Sequence, residues 1–142
     1  MKNSVPIIVM SAMLFFSFHI SAQVIKSSEI IDAGVYTLDG KDSLLQQTDS
    51  IKMEMGTHFG FRFKIIGEPD NRSVMLNMQI QITDKSGNAN TIQYDMKYLV
   101  HAFATGRHTF IFELPEEMVA GTWKFSILYQ DDTVLEKSFE IF

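Results

Sequence analysis

From Ser28 onward the chain is written in twos. Phe59, Phe61, Phe63 and Ile65 alternate with Gly60, Arg62, Lys64 and Ile66. A side-chain period of two marks a strand with one face in a core, so the phenylalanines take one side and Arg62 and Lys64 the other. Val74, Leu76, Met78, Ile80 and Ile82 then alternate with Met75, Asn77, Gln79, Gln81 and Thr83. Ile92, Tyr94, Met96 and Tyr98 follow against Gln93, Asp95 and Lys97. His108, Phe110, Phe112 and Leu114 make a further inward set, as do Trp123, Phe125, Ile127 and Tyr129. Weaker strands are expected over Ser28 to Leu38, with Gly34 as a bulge, and over Leu44 to Ile51. The last strand carries Leu135, Lys137, Phe139 and Ile141 in one set, which predicts an edge blunted by an inward or rim lysine.

Turn residues separate these runs. Asp39-Gly40-Lys41-Asp42, Gly67 to Asn71 and Asp84 to Asn88 punctuate the chain, and Asp131-Asp132 is expected to close the final hairpin. Pro115-Glu116-Glu117-Met118 predicts one helical turn, with proline in first position and acids near the N-terminus. No longer segment has helical periodicity, and no gap is long enough for a crossover helix. The pattern therefore predicts an all-β, antiparallel sandwich of roughly seven to eight strands.

The first residues differ in kind. Met1 and Lys2 precede an apolar run from Val5 to Ile20, and Ser21-Ala22-Gln23 follows. Basic start, apolar middle and small residues at the cut predict a secretory signal peptide over residues 1–22, cleaved between Ala22 and Gln23. The run is shorter than the ~20 residues of a spanning helix, so no stable membrane span is expected after processing. A single domain is expected over residues 23–142, located in the periplasm or secreted.

Composition adds limits. The chain has 142 residues, 46% hydrophobic and 20% charged, with a formal net charge of −5. An acidic balance without a basic run argues against nucleic acid as a partner. With no cysteine, disulfides, thiolate metal sites and cysteine nucleophiles are excluded. An exported fold without bridges leans toward a bacterial source.

Three segments together resemble a family of short exported bacterial domains of unknown function. They are Ile30-Ile31-Asp32-Ala33-Gly34-Val35-Tyr36, His58-Phe59-Gly60-Phe61-Arg62-Phe63 with Ile66-Gly67, and Gly121-Thr122-Trp123-Lys124-Phe125 through Leu135 to Phe139. The resemblance implies an immunoglobulin-like β-sandwich. It implies no activity and assigns no functional residue. In the residues themselves, Gly60 allows close approach of a neighbouring segment, Gly121 makes a corner, and Trp123 anchors the core.

The candidate chemistry is thin. His101 and His108 would hold a metal only by converging with a carboxylate such as Asp95 or Glu113, and no histidine spacing, His58 included, matches a zinc motif. Glu116-Glu117 and Asp131-Asp132 fit helix-dipole and turn roles better than a pair of hydrolytic carboxylates. No nucleophile elbow or phosphate loop is present, and Asn71-Arg72-Ser73 is a formal glycosylation sequon. Asn77, Gln79 and Gln81, with Gln93 and Asp95, form an amide-rich strand face that could engage sugars. The expectation is a module that is not an enzyme, uses no cofactor or metal, and binds a protein or a glycan of the cell envelope. A carbohydrate-binding domain and a small hydrolase are the alternatives.

Overall fold

A computed structural model describes residues 22–142. Among them are nine strands and one short 3-10 turn. The first sheet joins β1 (Val24–Tyr36), β2 (Leu44–Gln47), β4 (His58–Glu68) and β7 (Gly106–Ile111), in the order β2-β1-β4-β7. The second joins β3 (Ser50–Ile51), β5 (Arg72–Asp84), β6 (Ala89–Val100), β8 (Gly121–Tyr129) and β9 (Asp132–Ile141), in the order β3-β9-β8-β5-β6. All pairings are antiparallel except β3 with β9.

The alternating residues fill the space between the sheets. Phe59, Phe61, Phe63 and Ile65 face Leu76, Met78, Ile80, Phe125 and Ile127, all buried. Trp123 is fully buried, as the sequence predicts. Its ring lies 5.2 Å from Phe110 and 5.6 Å from Phe59, and its indole N–H donates to the Val119 carbonyl at 2.9 Å. Edge-on aromatic pairs of this kind add about 0.5–1.5 kcal/mol each beyond the burial itself.

Three glycines tighten the sheets. Gly34 and Gly60 are register partners on β1 and β4, and Gly121 opens β8 opposite Asp84. All three have φ between +144° and +148°. A Cβ at Gly60 would collide with the His108 carbonyl, one at Gly34 with the Gln46 carbonyl, and one at Gly121 with the Thr83 carbonyl. Only glycine lets the backbones approach this closely.

Several expectations are corrected. Gly34 itself stays in register: β1 shifts on β4 between Ile25 and Ser27 and between Ile30 and Asp32, and on β2 just after Gly34, between Val35 and Tyr36. The expected strand from Leu44 to Ile51 is two strands in different sheets. Thr48 turns the corner, its hydroxyl accepting from the Ser50 N–H at 3.1 Å and donating to the Ser50 carbonyl at 3.2 Å. The final hairpin turns at Gln130 and Asp131, at φ +49° and +68°, so that Asp132 already pairs with Tyr129. Two residues with positive φ match the right-handed twist of the strands they join.

Lys137 takes the expected place. It lies opposite Phe125 where β9 is an edge, and its ammonium meets Asp49 Oδ1 at 2.7 Å. The expected signal segment lies outside the described residues, except that Ala22 is exposed and Gln23 leads directly into β1. Among the described residues no helix is long and apolar enough to cross a membrane.

Candidate binding cleft

The sandwich is open along one side, where β6 ends the second sheet and β7 ends the first. β7 has six residues and β6 has twelve, so β6 overhangs. Its inward residues Ile92 and Tyr94 are therefore 36% and 42% exposed, although they point the same way as buried Tyr98.

His108 and Tyr94 bridge the middle of this opening. The imidazole projects from β7 into the core, between Phe61 and Phe125. Its Nε2 lies 2.9 Å from the Gln79 carbonyl and its Nδ1 3.4 Å from the Tyr94 hydroxyl. A carbonyl only accepts, so Nε2 carries the proton and Nδ1 accepts from tyrosine. Burial lowers the imidazole pKa from 6.5 to about 4, and raises that of the Tyr94 phenol.

A hollow lies on either side of this bridge. The first, about 550 Å³, is the candidate site. Its deep wall is apolar: Ile82, Phe110, Val119 and Trp123. Its rim holds Asp84 and Asn88 from the β5–β6 turn, Asn90 at the start of β6, and Glu116 and Glu117 from the 3-10 turn Pro115–Glu117. No histidine, serine, lysine or arginine lines it. Two of the acids have structural tasks. Asp84 Oδ1 accepts from the Ser86 and Asn88 N–H groups, both at 2.9 Å, and these bonds with the Asn88 amide lower its pKa. Glu117 Oε2 accepts from the Glu113 and Leu114 N–H groups at 2.9 Å. Glu116 stands exposed at the rim. The second hollow, about 560 Å³, lies between Met96 and Tyr98 of β6 and Gly106, Arg107 and Thr109 of β7.

The outer face of the first sheet is a row of paired charges. Arg62 Nε donates to Asp32 Oδ1 at 2.8 Å, and Tyr36 donates to the same oxygen at 2.7 Å. These bonds hold the Asp32 carboxyl below the usual carboxylate range, while burial and the neighbouring carboxylate push the Tyr36 phenol up. Arg107, directly across from Arg62, pairs with Asp42. His58 is buried beside them, with Nδ1 3.1 Å from the Thr37 carbonyl and Nε2 2.9 Å from the Thr109 hydroxyl.

A family model for DUF3859, a domain of unknown function, matches residues 28–141. The chain belongs to this family. Among solved structures, an immunoglobulin-like protein from Pseudomonas aeruginosa superposes on the DUF3859 domain with a TM-score of 0.62 at 24% identity, over 86% of this chain and 98% of that one. That likeness establishes the fold: the chain is an immunoglobulin-like sandwich. An alkylpurine DNA glycosylase from Pseudomonas fluorescens, solved bound to DNA containing an abasic site analogue, overlaps more loosely. Its TM-score is 0.48 at 13% identity, over 81% of this chain and 30% of that one. That overlap carries no argument about the DUF3859 domain. No curated protein matches the chain.

The residues picked out in the sequence fall as follows. His108 is in the core and His101 is in the β6–β7 loop, where its Nδ1 accepts from the Phe103 N–H at 3.1 Å. Neither shares a hydrogen bond or ion pair with Asp95 or Glu113 among the described residues. No group of three or more metal-ligating side chains forms there. Glu116 and Glu117 do reach the cleft rim; Asp131 and Asp132 are a turn and a strand start. The amide face is partly self-satisfied: Asn77 Nδ2 donates to Asp95 Oδ1 at 3.1 Å, and Gln79 Nε2 to Asn77 Oδ1 at 2.7 Å. Asn71, at φ +60°, belongs to the β4–β5 turn and donates its N–H to the Val100 carbonyl. The cleft itself escapes a linear reading, since Ile82 and Trp123 become neighbours only through the pairing of β5 with β8.

Proposed function

We propose that this domain is a non-enzymatic module that works outside the cytoplasm, in the periplasm or the medium, and binds a protein of the cell envelope. The observation that carries the reading is the chemistry of the cleft. An apolar wall with a carboxylate rim suits an extended protein segment bearing an apolar residue next to a basic one. The lining offers no histidine, serine or lysine, and two of its three acids are engaged in turn and cap hydrogen bonds. The N-terminal pattern of the chain supports the location.

A photo-crosslinking amino acid at Asn88, on the exposed rim, tests the reading in expressing cells. A discrete protein adduct in the envelope or medium fraction, lost in Phe110→Asp, is expected. Adducts that form equally at a rim position and at Lys85, or none at all, would sink it. The same cells give the processed N-terminus, expected at Gln23; an intact Met1 in the cytoplasm removes the assigned location.

Carbohydrate binding is the second reading, favoured by a shallow polar depression of about 200 Å³ on the outer face of the second sheet. Gln79, Gln81, Thr91, Lys124, Ser126 and Glu136 contribute to it. No aromatic ring lines it for a sugar to stack on, which places this reading second. Calorimetric titrations with envelope glycans that stay flat remove it.

A further inference from the structure

An edge strand is a row of unpaired backbone donors and acceptors, and folded proteins guard such rows with short strands, bulges, proline or charge. Three of the four strands that end the sheets are short: β2 has four residues, β3 two and β7 six, and the stretches of β1 and β9 they leave uncovered are guarded, β1 by two register shifts and β9 by Lys137. β6 has twelve. It pairs with β5 from Ala89 to Val100 without a register shift. It contains neither proline nor glycine. Asn90 to Asp95, Lys97 and Leu99 are exposed, with Leu99 at 43%.

The only charges on β6 are Asp95 and Lys97. They are opposite in sign, two residues apart and on the same outward face. A lone lysine would guard the edge, but a preceding aspartate on the same face makes the edge complementary to itself. In an antiparallel pairing of β6 with a second β6, a twofold axis at Met96 sets Asp95 opposite Lys97 of the other copy, twice. An axis at Asp95 or Lys97 would set like charges face to face, and one at Tyr94 would leave both charges unmatched. We infer that the partner of β6 is β6 of a second copy of this chain, paired antiparallel about Met96 from Gln93 to Leu99. The two five-stranded sheets then become one continuous sheet. Half-exposed Tyr94 is covered by Tyr98 of the other copy. The cleft uses β6 only at Ala89, Asn90 and Ile92, outside the paired stretch. This inference is independent of the proposed ligand.

Sedimentation equilibrium of the processed chain tests it. A concentration-dependent dimer is expected, weakened by salt because the deciding pairs are exposed. Asp95→Lys and Lys97→Asp each place like charges opposite and should raise the dissociation constant roughly tenfold or more. The double reversal should restore it. Because the chain has no cysteine, Met96→Cys gives a second reading: under mild oxidant it should form a disulfide-linked dimer, and Asn90→Cys should not. Thermal melts check that every variant folds. A monomer at all concentrations, a dimer indifferent to the single reversals, or equal crosslinking at positions 90 and 96 would overturn the inference.

Discussion

The imidazole of His108 on β7 donates a hydrogen bond across the sandwich to the carbonyl of Gln79 on β5, at 2.9 Å. It is a polar tie between the two sheets in a region otherwise packed with phenylalanine. Deep burial keeps the ring neutral, because a charge there would lose its hydration without gaining an anionic partner.

Stability should therefore depend on pH in a defined window. The folded pKa of His108 is about 4 and the unfolded value 6.5. Below 6.5 the unfolded chain binds a proton that the folded chain refuses. The stability contribution is thus complete above pH 6.5 and falls as pH drops toward 4, by about 1.4 kcal/mol per unit at most, or about 3 kcal/mol in all. Asp32, whose pKa is lowered below 3.8, adds its own loss only in more acidic solution. Urea melts between pH 7.5 and 4 should show the slope, and His108→Gln should flatten it. A wild-type midpoint that does not move across this interval contradicts the assignment.

Glycine position should matter more than glycine count. Gly60→Ala forces a Cβ against the His108 carbonyl at φ +144° and should destabilise by about 2 kcal/mol or more. Gly87→Ala, at φ +87° with nothing within 4 Å, should cost only about 1 kcal/mol. Thermal denaturation of the two variants side by side checks the order.

The aromatic core should respond to truncation at its hub. Phe59 touches the rings of Phe110, Phe112, Trp123, Phe125 and Phe139. Phe59→Ala leaves a void at that junction and should cost about 3–5 kcal/mol. The single tryptophan reports on it: emission from buried Trp123 should be blue-shifted in the native protein and move toward red in the variant.

One exposed turn offers a gain. Gln130 and Asp131 both adopt positive φ, where asparagine and glycine fit better. Gln130→Asn with Asp131→Gly should raise stability by roughly 0.5–1 kcal/mol, seen as a higher urea midpoint with unchanged slope.

The strands were legible because a period of two with bulky apolar residues on one face has no other economical reading. Trp123 in the core, Lys137 at the rim and the turn at Pro115 follow from local composition alone. What local composition does not carry is which strands share a sheet. The break at Thr48-Asp49 hides inside a run that scans as one strand, since a corner made by a threonine side chain needs neither glycine nor proline. The exposure of Ile92 and Tyr94 was likewise hidden. Their pattern is that of core residues, and only the shortness of β7 uncovers them. The candidate cleft was half visible, in Glu116 and Glu117, while its apolar wall joins residues far apart in the chain.

The parallel contact of β3 with β9 has a consequence for the order of folding. Ile51 hydrogen-bonds to Phe142, and Asp49 to Glu140, so the segment that leaves the first sheet takes its strand pairing from the last residues of the chain. β1 also meets β4 with β2 and β3 in between, and β4 meets β7 with β5 and β6 in between. A topology built from such distant partners closes slowly, on a scale of milliseconds to seconds. The N-terminal half of the domain cannot complete its fold while the C-terminal strand is still being synthesised. Until those last residues are made, β3 has no strand to pair with, and the corner at Thr48 stays unfastened.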